Sequence, residues 1–106
     1  MKIIKRSGTE VLFDINKIIS AINSANNEIV ESERLSSNDI QEIANTVEKY
    51  CASATRELNV EEIQDLVENQ LMKKNAYAVA RKYITYRYRK HAKRLYGGHG
   101  KQRPYK

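Results

Sequence analysis

KIIKRSGTEVLFDINKIISAI, residues 2–22, is the stretch that decides the fold of this chain. Its first half places two runs of β-branched and aromatic residues on either side of a short Ser-Gly turn, which is typical of a β-hairpin. Its second half carries apolar residues at helical spacing from Ile15 onward, and either Asp14 or Asn16 can cap the start of that helix. Because an isolated hairpin is marginal in water, we expect its apolar face to pack on the rest of the chain.

Three further helices are predicted downstream, each from apolar residues at helical spacing. The segment 26–37 between the first two helices lacks such a period and is predicted to be a loop or a frayed turn. Asn59 followed by Glu62 has the pattern of a capping box. The helix starts are expected near Ser36 or Ser37, near Asn59 and near Ala76.

The predicted fold class is therefore mainly α, a four-helix bundle capped by an N-terminal β-hairpin. Residues 1–95 form one domain in this interpretation. Residues 96–106, rich in glycine, are predicted to be a basic tail or linker because no pattern in them would hold regular structure.

The size and composition of the chain exclude several classes of protein. A chain of 106 residues holds one small domain with a thin core, which argues against a complete metabolic enzyme. No apolar run approaches the roughly 20 residues that a membrane span requires. Cys51 is the single cysteine, so no internal disulfide is available. We expect a reducing, cytoplasmic setting and no membrane partner.

The charge of the chain is divided sharply between its two parts. Residues 1–72 carry 7 basic and 13 acidic side chains, whereas residues 73–106 carry 12 basic side chains and no acidic one. A basic C-terminal third indicates an anionic partner. Nucleic acid, a membrane surface, an acidic protein and a nucleotide polyphosphate all fit this charge.

No catalytic constellation is found in the sequence. Cys51 lies on the apolar stripe of its helix, which favours a buried and inert thiol. His91 and His99 lie where no Cys, Asp or Glu is near in the sequence to complete a metal-ligand set. We therefore predict neither an active site nor a metal site.

Two basic groupings are candidates for anion binding. Lys5 and Arg6 end the first hairpin strand, and Lys17 lies in the first turn of the following helix, where the helix dipole favours an anion. A compact hairpin brings these three cations close together. They indicate either a bound anion or three surface cations that happen to be neighbours.

The second basic grouping lies on the last predicted helix. Cations interleaved with aromatic residues are typical of proteins that bind single-stranded nucleic acid. Tyrosines at this spacing are equally typical of a core face beside a solvated one. Both interpretations stay open for Lys82, Arg87, Arg89, Lys90, Lys93 and Arg94, with Tyr83, Tyr86 and Tyr88 between them.

Three blocks of the sequence resemble the ATP-cone domain. The opening block, residues 3–22, is similar to the family signature, in which a hydrophobic pair precedes Lys-Arg-Asp-Gly and Phe-Asp precedes Lys-Ile and Ala-Ile. Residues 60–68, VEEIQDLVE, and residues 78–87, AVARKYITYR, resemble the third and fourth helices of the family. The resemblance covers about residues 2–90.

The resemblance implies a regulatory domain that binds ATP or dATP, with Mg²⁺, and is not itself an enzyme. Such domains occur in ribonucleotide reductase catalytic subunits and, behind a zinc ribbon, in a transcriptional repressor. No cysteine pair precedes the first block, which argues against the repressor. The second and third blocks resemble the anaerobic reductases more than the aerobic ones. We therefore expect an allosteric switch of the activity or oligomeric state of a ribonucleoside-triphosphate reductase. The alternative is a small nucleic-acid-binding module, such as a transcriptional regulator, that uses the last helix.

The resemblance also implies roles for individual residues. It places phosphate groups on Lys5, Arg6, Lys17, Arg89 and Gln64. It places adenine and ribose in a slot formed by Ile3, Phe13, Asp14, Ile18, Val60 and Ile63, in which the Asp14 carboxylate accepts a hydrogen bond from the adenine amine. Two positions depart from the family, since Ser7 replaces the usual Asp and Gln64 stands where some relatives have His. Self-association or a reductase catalytic domain is the implied partner.

Overall fold

The structure, a computed structural model, describes the backbone of residues 1–95 and the side chains of residues 1–89. The predicted tail and the basic side chains from Lys90 onward lie outside the described residues. The elements are β1 Lys2–Ile4, β2 Glu10–Leu12, α1 Ile15–Asn26, a 3-10 turn Glu31–Glu33, α2 Ser37–Ser53, α3 Val60–Lys73 and α4 Tyr77–Leu95. The predicted fold class, four helices capped by an N-terminal hairpin, is confirmed.

The hairpin pairs β1 with β2 in antiparallel register, with Ile3 opposite Val11. Its turn is closed by two backbone hydrogen bonds of 2.8 Å, in which the Lys5 amide donates to Thr9 and the Gly8 amide donates to the Lys5 carbonyl. Gly8 has a φ angle of 92°, a backbone conformation that residues with a Cβ atom adopt only with strain. A glycine at this position therefore allows the tight turn.

The hairpin is fixed to the helices through its first strand. The backbone amide of Ile4 donates to the carbonyl of Leu58 at 3.0 Å, and Ile4 forms a parallel bridge with Asn59. Asn59 is the N-cap of α3. The end of β1 therefore lies beside the start of α3, an arrangement that brings together residues far apart in the sequence.

Local capping signals in the sequence are confirmed. The Asp14 carboxylate, rather than Asn16, caps α1 by accepting from the Asn16 amide at 3.0 Å. Asn59 and Glu62 form the predicted capping box, with both hydrogen bonds 2.9 Å long. Hydrogen bonds to the Arg56 side chain and to the Asn59 backbone lower the pKa of the Glu62 carboxyl to about 2. The start of α3 is thus well defined where the hairpin meets it.

The core lies between four helices that pack in a ring, since each contacts the next in chain order and α4 returns to α1. Cys51 is buried, and burial, together with the nearby Glu48 carboxylate, raises the pKa of its thiol. The largest fully buried side chains are Ile22, Ile43, Val47, Val67, Leu71 and Val79. Among the described residues there is no helix with the length and apolar content that a membrane span requires.

The apolar residues Ala76, Val79, Ala80, Tyr83 and Ile84 predict the buried face of α4, and the structure departs from this prediction at Ile84. Tyr83 is 4% exposed, whereas Ile84 is 40% exposed. Successive helical residues are rotated by about 100°, so the line through Ala76 and Tyr83 continues to Arg87, while Ile84 lies on the flank. An arginine therefore occupies the next position of the buried face.

Candidate functional site

A cavity of about 380 Å³ lies between the hairpin, α1, α3 and α4. This volume falls within the range of small-molecule sites, roughly 300–1,000 Å³. Both apolar and polar side chains line it. The residues around it are Ile3, Phe13, Asp14, Asn16, Lys17, Ile18, Ser20, Ala21, Val60, Ile63, Gln64, Tyr83, Tyr86 and Arg87.

The apolar wall of the cavity is built from three separate segments of the chain. The hairpin and the residue that follows it supply Ile3 and Phe13, α1 supplies Ile18, and the first turn of α3 supplies Val60 and Ile63. The structure thus brings together all five apolar residues that the sequence predicts for an adenine slot. A flat apolar ligand would remove these surfaces from water.

Asp14 also lines this cavity and has a structural partner there. One of its oxygens, Oδ1, caps α1 by accepting from the Asn16 amide. The side chain is exposed, so it is accessible to a ligand as well as to the helix. Asp14 therefore borders the cavity with a side chain that a ligand can reach, and its contact with an adenine amine stays a prediction.

Three of the five residues predicted to contact phosphate line one or the other of two cavities. Lys17 and Gln64 line the first cavity. Arg6 lines a second cavity, of about 370 Å³, which shares Arg87 with the first. Lys5 and Arg89 line neither of these two cavities, and Arg89 is exposed on α4. Arg87 thus joins the two halves of the predicted phosphate site.

Arg87 is held by three carboxylates of α3. Its Nη1 atom donates to Asp65 at 2.9 Å and to Glu68 at 2.5 Å, and its Nη2 atom donates to Glu61 Oε1 at 2.7 Å. Burial opposes the charge of this guanidinium, but the hydrogen bonds to the carboxylates outweigh it and raise the pKa of Arg87. Arg87 therefore stays charged and ties α4 to α3.

Glu61 extends this network to the hairpin. Its Oε2 atom lies 3.1 Å from Arg6 Nη2. Arg6 Nη2 also donates a hydrogen bond to Gln64 Oε1 at 3.2 Å. One carboxylate therefore bridges an arginine from the hairpin and an arginine from α4. Arg6, which lines the second cavity, and Arg87, which lines both, are thus both held by Glu61.

Arg87 is the one cation among the six lining residues of the first cavity that the sequence-based site prediction omits, the others being Asn16, Ser20, Ala21, Tyr83 and Tyr86. That prediction places a cation of α4 at Arg89, two residues further on. The helical period supplies a signal, since Arg87 follows the buried Tyr83 by four residues and so shares its face. Arg89 is rotated by about 200° from Arg87 and points away from it.

The basic face predicted on the last helix is partly neutralised within the domain. Lys82 lies 3.8 Å from the carboxylate of Glu28, and Arg87 is held by α3. Tyr83 is buried, and burial raises the pKa of its hydroxyl well above the usual range. Of the tyrosines in this stretch, Tyr88 is 64% exposed. These contacts favour a core and domain-packing role for much of this helix.

Potential metal ligands do not cluster in the part of the chain that the structure describes. No group of three or more His, Cys, Asp or Glu side chains there is arranged to hold a metal ion. Asp14 is a carboxylate that borders the larger cavity. One carboxylate suits Mg²⁺ when phosphate oxygens and water supply its other ligands.

The fold and the cavity define a small helical ligand-binding domain with an apolar slot beside a cluster of arginines. The chain matches the family model of the ATP cone domain over residues 1–92. It therefore belongs to the ATP cone domain family, as the three sequence blocks predict.

The relatives of the chain include ribonucleotide reductases. Ribonucleoside-diphosphate reductase subunit alpha of Chlamydia trachomatis is 34% identical over 95 residues, covering 82% of this chain and 9% of that protein. The same subunit of Chlamydia muridarum is 33% identical with the same coverage. Anaerobic ribonucleoside-triphosphate reductase of Haemophilus influenzae is 34% identical over 87 residues, covering 81% of this chain and 12% of that protein.

The similarity is confined to a small part of these relatives. The chain spans 9% to 12% of their length and matches their N-terminal region. A match of this extent corresponds to one domain of a larger enzyme. Family membership thus implies a nucleotide-binding regulatory role for the matched domain.

Proposed function

We propose that this domain binds ATP or dATP and thereby regulates a ribonucleotide reductase. The observation that carries the proposal is the cavity of about 380 Å³, in which an apolar slot adjoins cationic side chains from separate elements. Apolar walls with a few placed polar groups are typical of nucleotide-sized sites. Membership of the ATP cone domain family supports the choice of an adenine nucleotide.

In the proposed complex, adenine lies against Phe13 and Ile63, and the phosphates extend past Lys17 toward the arginines. Lys17 borders the cavity in the first turn of α1, where the helix dipole favours an anion. A triphosphate carries about four negative charges near neutral pH, so several cations are needed to offset the loss of its water. Arg6 and Arg87 supply two more of these, and Gln64 lies between them and the slot.

Lys5 and Arg89 act in this proposal from the rim. Neither lines the cavities, but Lys5 neighbours Arg6 at the end of β1 and Arg89 follows Arg87 on α4. Their long side chains would contact the outer phosphate oxygens. Mg²⁺ would arrive with the nucleotide, because its affinity for phosphate oxygens exceeds what one carboxylate offers.

The proposed regulation acts through association. A ligand shifts an equilibrium only between states that it binds unequally, so the switch requires two arrangements of the domain or its neighbours. The relatives are reductases in which the matched region is one part of a long chain. We infer that ATP and dATP change how this domain contacts a second copy or a reductase catalytic domain.

Isothermal titration calorimetry tests nucleotide binding directly. The folded protein is titrated with Mg-ATP, Mg-dATP and Mg-GTP at the same ionic strength. We expect heat of binding for the two adenine nucleotides and a weaker response to GTP. If neither adenine nucleotide produces heat at millimolar concentration, the proposed function is wrong.

Removing a cation from the cavity or from its rim should weaken nucleotide binding without unfolding the domain. For Lys17→Ala and for Lys5→Ala we expect a loss of about 1–3 kcal/mol in the free energy of nucleotide binding, the range of a charge-assisted hydrogen bond. The melting temperature without nucleotide should change little. Lys49→Ala is the matched control, since Lys49 is an exposed lysine of α2 away from the cavity. A loss of stability in Lys5→Ala and Lys17→Ala that Lys49→Ala does not show, with nucleotide affinity unchanged, would show that Lys5 and Lys17 are structural.

Sedimentation velocity tests the regulatory half of the proposal. We expect the distribution of sedimentation coefficients to differ between the protein alone, with ATP and with dATP, over a wide range of concentration. The acidic residues 1–72 and the basic residues 73–106 favour contacts between copies that a bound polyphosphate would weaken. Three identical distributions would remove self-association from the mechanism.

A further inference from the structure

One carboxylate, that of Glu61 in the lining of the second cavity, contacts both Arg6 and Arg87. Glu61 Oε1 accepts from Arg87 Nη2 at 2.7 Å, and Glu61 Oε2 lies 3.1 Å from Arg6 Nη2. Carboxylate and phosphate are interchangeable partners for arginine, because each offers several acceptor oxygens to the same guanidinium donors. The Glu61 carboxylate thus has the position and the chemistry of an internal substitute for a phosphate group.

We propose that Glu61 is a specificity-determining residue that competes with the terminal phosphates of the nucleotide for Arg6 and Arg87. This inference rests on the proposed function, since it assumes that a nucleotide enters the neighbouring cavity. Glu61 lowers the affinity for polyphosphates and does not touch the adenine slot. The network therefore sets how strongly the site distinguishes nucleotides by their number of phosphates.

The exposure of the three side chains fits an exchange. The side chains of Arg6 and Arg87 are 16% and 18% exposed, whereas that of Glu61 is 46% exposed. The arginines are therefore held in place by their surroundings, and the carboxylate faces solvent on one side. A soluble phosphate can replace the Glu61 carboxylate without moving the cations.

The two arginines would respond differently when Glu61 is displaced. Arg87 keeps its hydrogen bonds to Asp65 and Glu68. Arg6 keeps its hydrogen bond to Gln64, which is neutral. Each arginine thus keeps a hydrogen bond within the domain, and a phosphate in place of the Glu61 carboxylate would meet guanidinium groups that are already held in position. Arg87 would serve mainly to fix the site to α4.

The variant Glu61→Gln tests the proposal by calorimetry with AMP, ADP and ATP. Glutamine keeps the size of the side chain and removes the competing charge. We expect ATP to bind about tenfold more tightly than to the unaltered protein, a change of the size of one charge-assisted interaction. ADP should gain less and AMP should be unchanged. A merely structural role of Glu61 would change all three affinities alike.

Glu33→Gln is the matched control for net charge. Glu33 is exposed in the 3-10 turn, so its substitution removes one negative charge far from the arginines. We expect the affinity for ATP to stay as in the unaltered protein. A gain equal to that of Glu61→Gln would assign the effect to long-range charge and overturn the proposal.

The outcomes separate this inference from the proposed function. If the unaltered protein binds no adenine nucleotide, the proposed function fails. If the unaltered protein binds ATP and Glu61→Gln binds it equally or more weakly, only the role of Glu61 is overturned.

A measurement on the unaltered protein covers the case in which the variant does not fold. The ¹³C carboxyl resonance of Glu61 should shift on addition of ATP and stay in place on addition of adenosine. An unmoved Glu61 resonance, while backbone resonances around the cavity shift with ATP, would overturn the competition.

Discussion

Replacing Arg87 by alanine is expected to lower the free energy of unfolding by about 3 kcal/mol. Removing one partner of a buried ion pair costs about 3–5 kcal/mol because the remaining charge stays behind without compensation. Here the substitution removes the guanidinium that Asp65 and Glu68 share, whereas Glu61 keeps its ion pair with Arg6. Asp65 is 62% exposed and partly solvated, so the lower end of that range is expected. Urea denaturation of the two proteins measures the difference.

Arg89→Ala is the matched control for this prediction. Arg89 lies two residues further along α4 and is exposed, so its removal should change the free energy of unfolding by less than about 0.5 kcal/mol. The pair of variants removes the same side chain from opposite faces of one helix. Equal effects of the two substitutions would contradict the orientation of α4 described above.

Local signals in the sequence predict most of the architecture. A capping box, an N-cap and an apolar period each depend on residues a few positions apart, so Asn59 and Glu62 locate the start of α3 without knowledge of the fold. The Ser-Gly turn predicts the hairpin in the same way, and Gly8 has the positive φ that such a turn requires. The four helices follow because each buries a stripe that the sequence displays.

Such local signals do not predict contacts between segments that are distant in the sequence. Nothing near Ile4 in the sequence indicates that its amide pairs with Leu58, because that pairing depends on how the hairpin meets α3. The same holds for Arg6 and Glu61, which are 55 positions apart. The docking of the hairpin and the ion network of the site are therefore learned only from the structure.

The candidate site was predictable where it is apolar and less so where it is charged. Apolar residues such as Phe13 and Ile63 have one favourable place, out of water, and the family resemblance places them around one cavity, as the structure does. A long cationic side chain has several partners within reach. Which one it contacts depends on the direction in which its position on the helix points. Arg87 and Arg89 illustrate this. They are two residues apart on α4, yet the side chain of Arg87 binds carboxylates of α3 and that of Arg89 is exposed to solvent.

Replacing Ile43 by alanine is the second large effect that we expect, a loss of about 2–5 kcal/mol in the free energy of unfolding. Ile43 is 1% exposed in the middle of α2, so the substitution removes buried apolar surface and leaves a cavity that the core refills only partly. A domain of this size is stable by only about 5–15 kcal/mol. Denaturant titration should show the loss as a lower midpoint with an unchanged slope.

Ile84→Ala is the control for apolar content. Ile84 is 40% exposed on the flank of α4, so the same change of side chain should cost less than about 1 kcal/mol. A large loss from Ile84→Ala and a small one from Ile43→Ala would place the core on the wrong faces of these helices.

Nucleotide should restore part of the stability that Ile43→Ala removes. A ligand that binds only the folded state adds about 2.7 kcal/mol at a concentration of one hundred times its dissociation constant. Ile43 is remote from the cavity lining, so the folded fraction of this variant should bind ATP with unchanged affinity. At the same ATP concentration Lys17→Ala should gain less, because its affinity is lowered while its core is intact. Thermal unfolding with and without ATP distinguishes the two variants, and an equal gain in melting temperature for both would show that Lys17 makes no contact with the nucleotide.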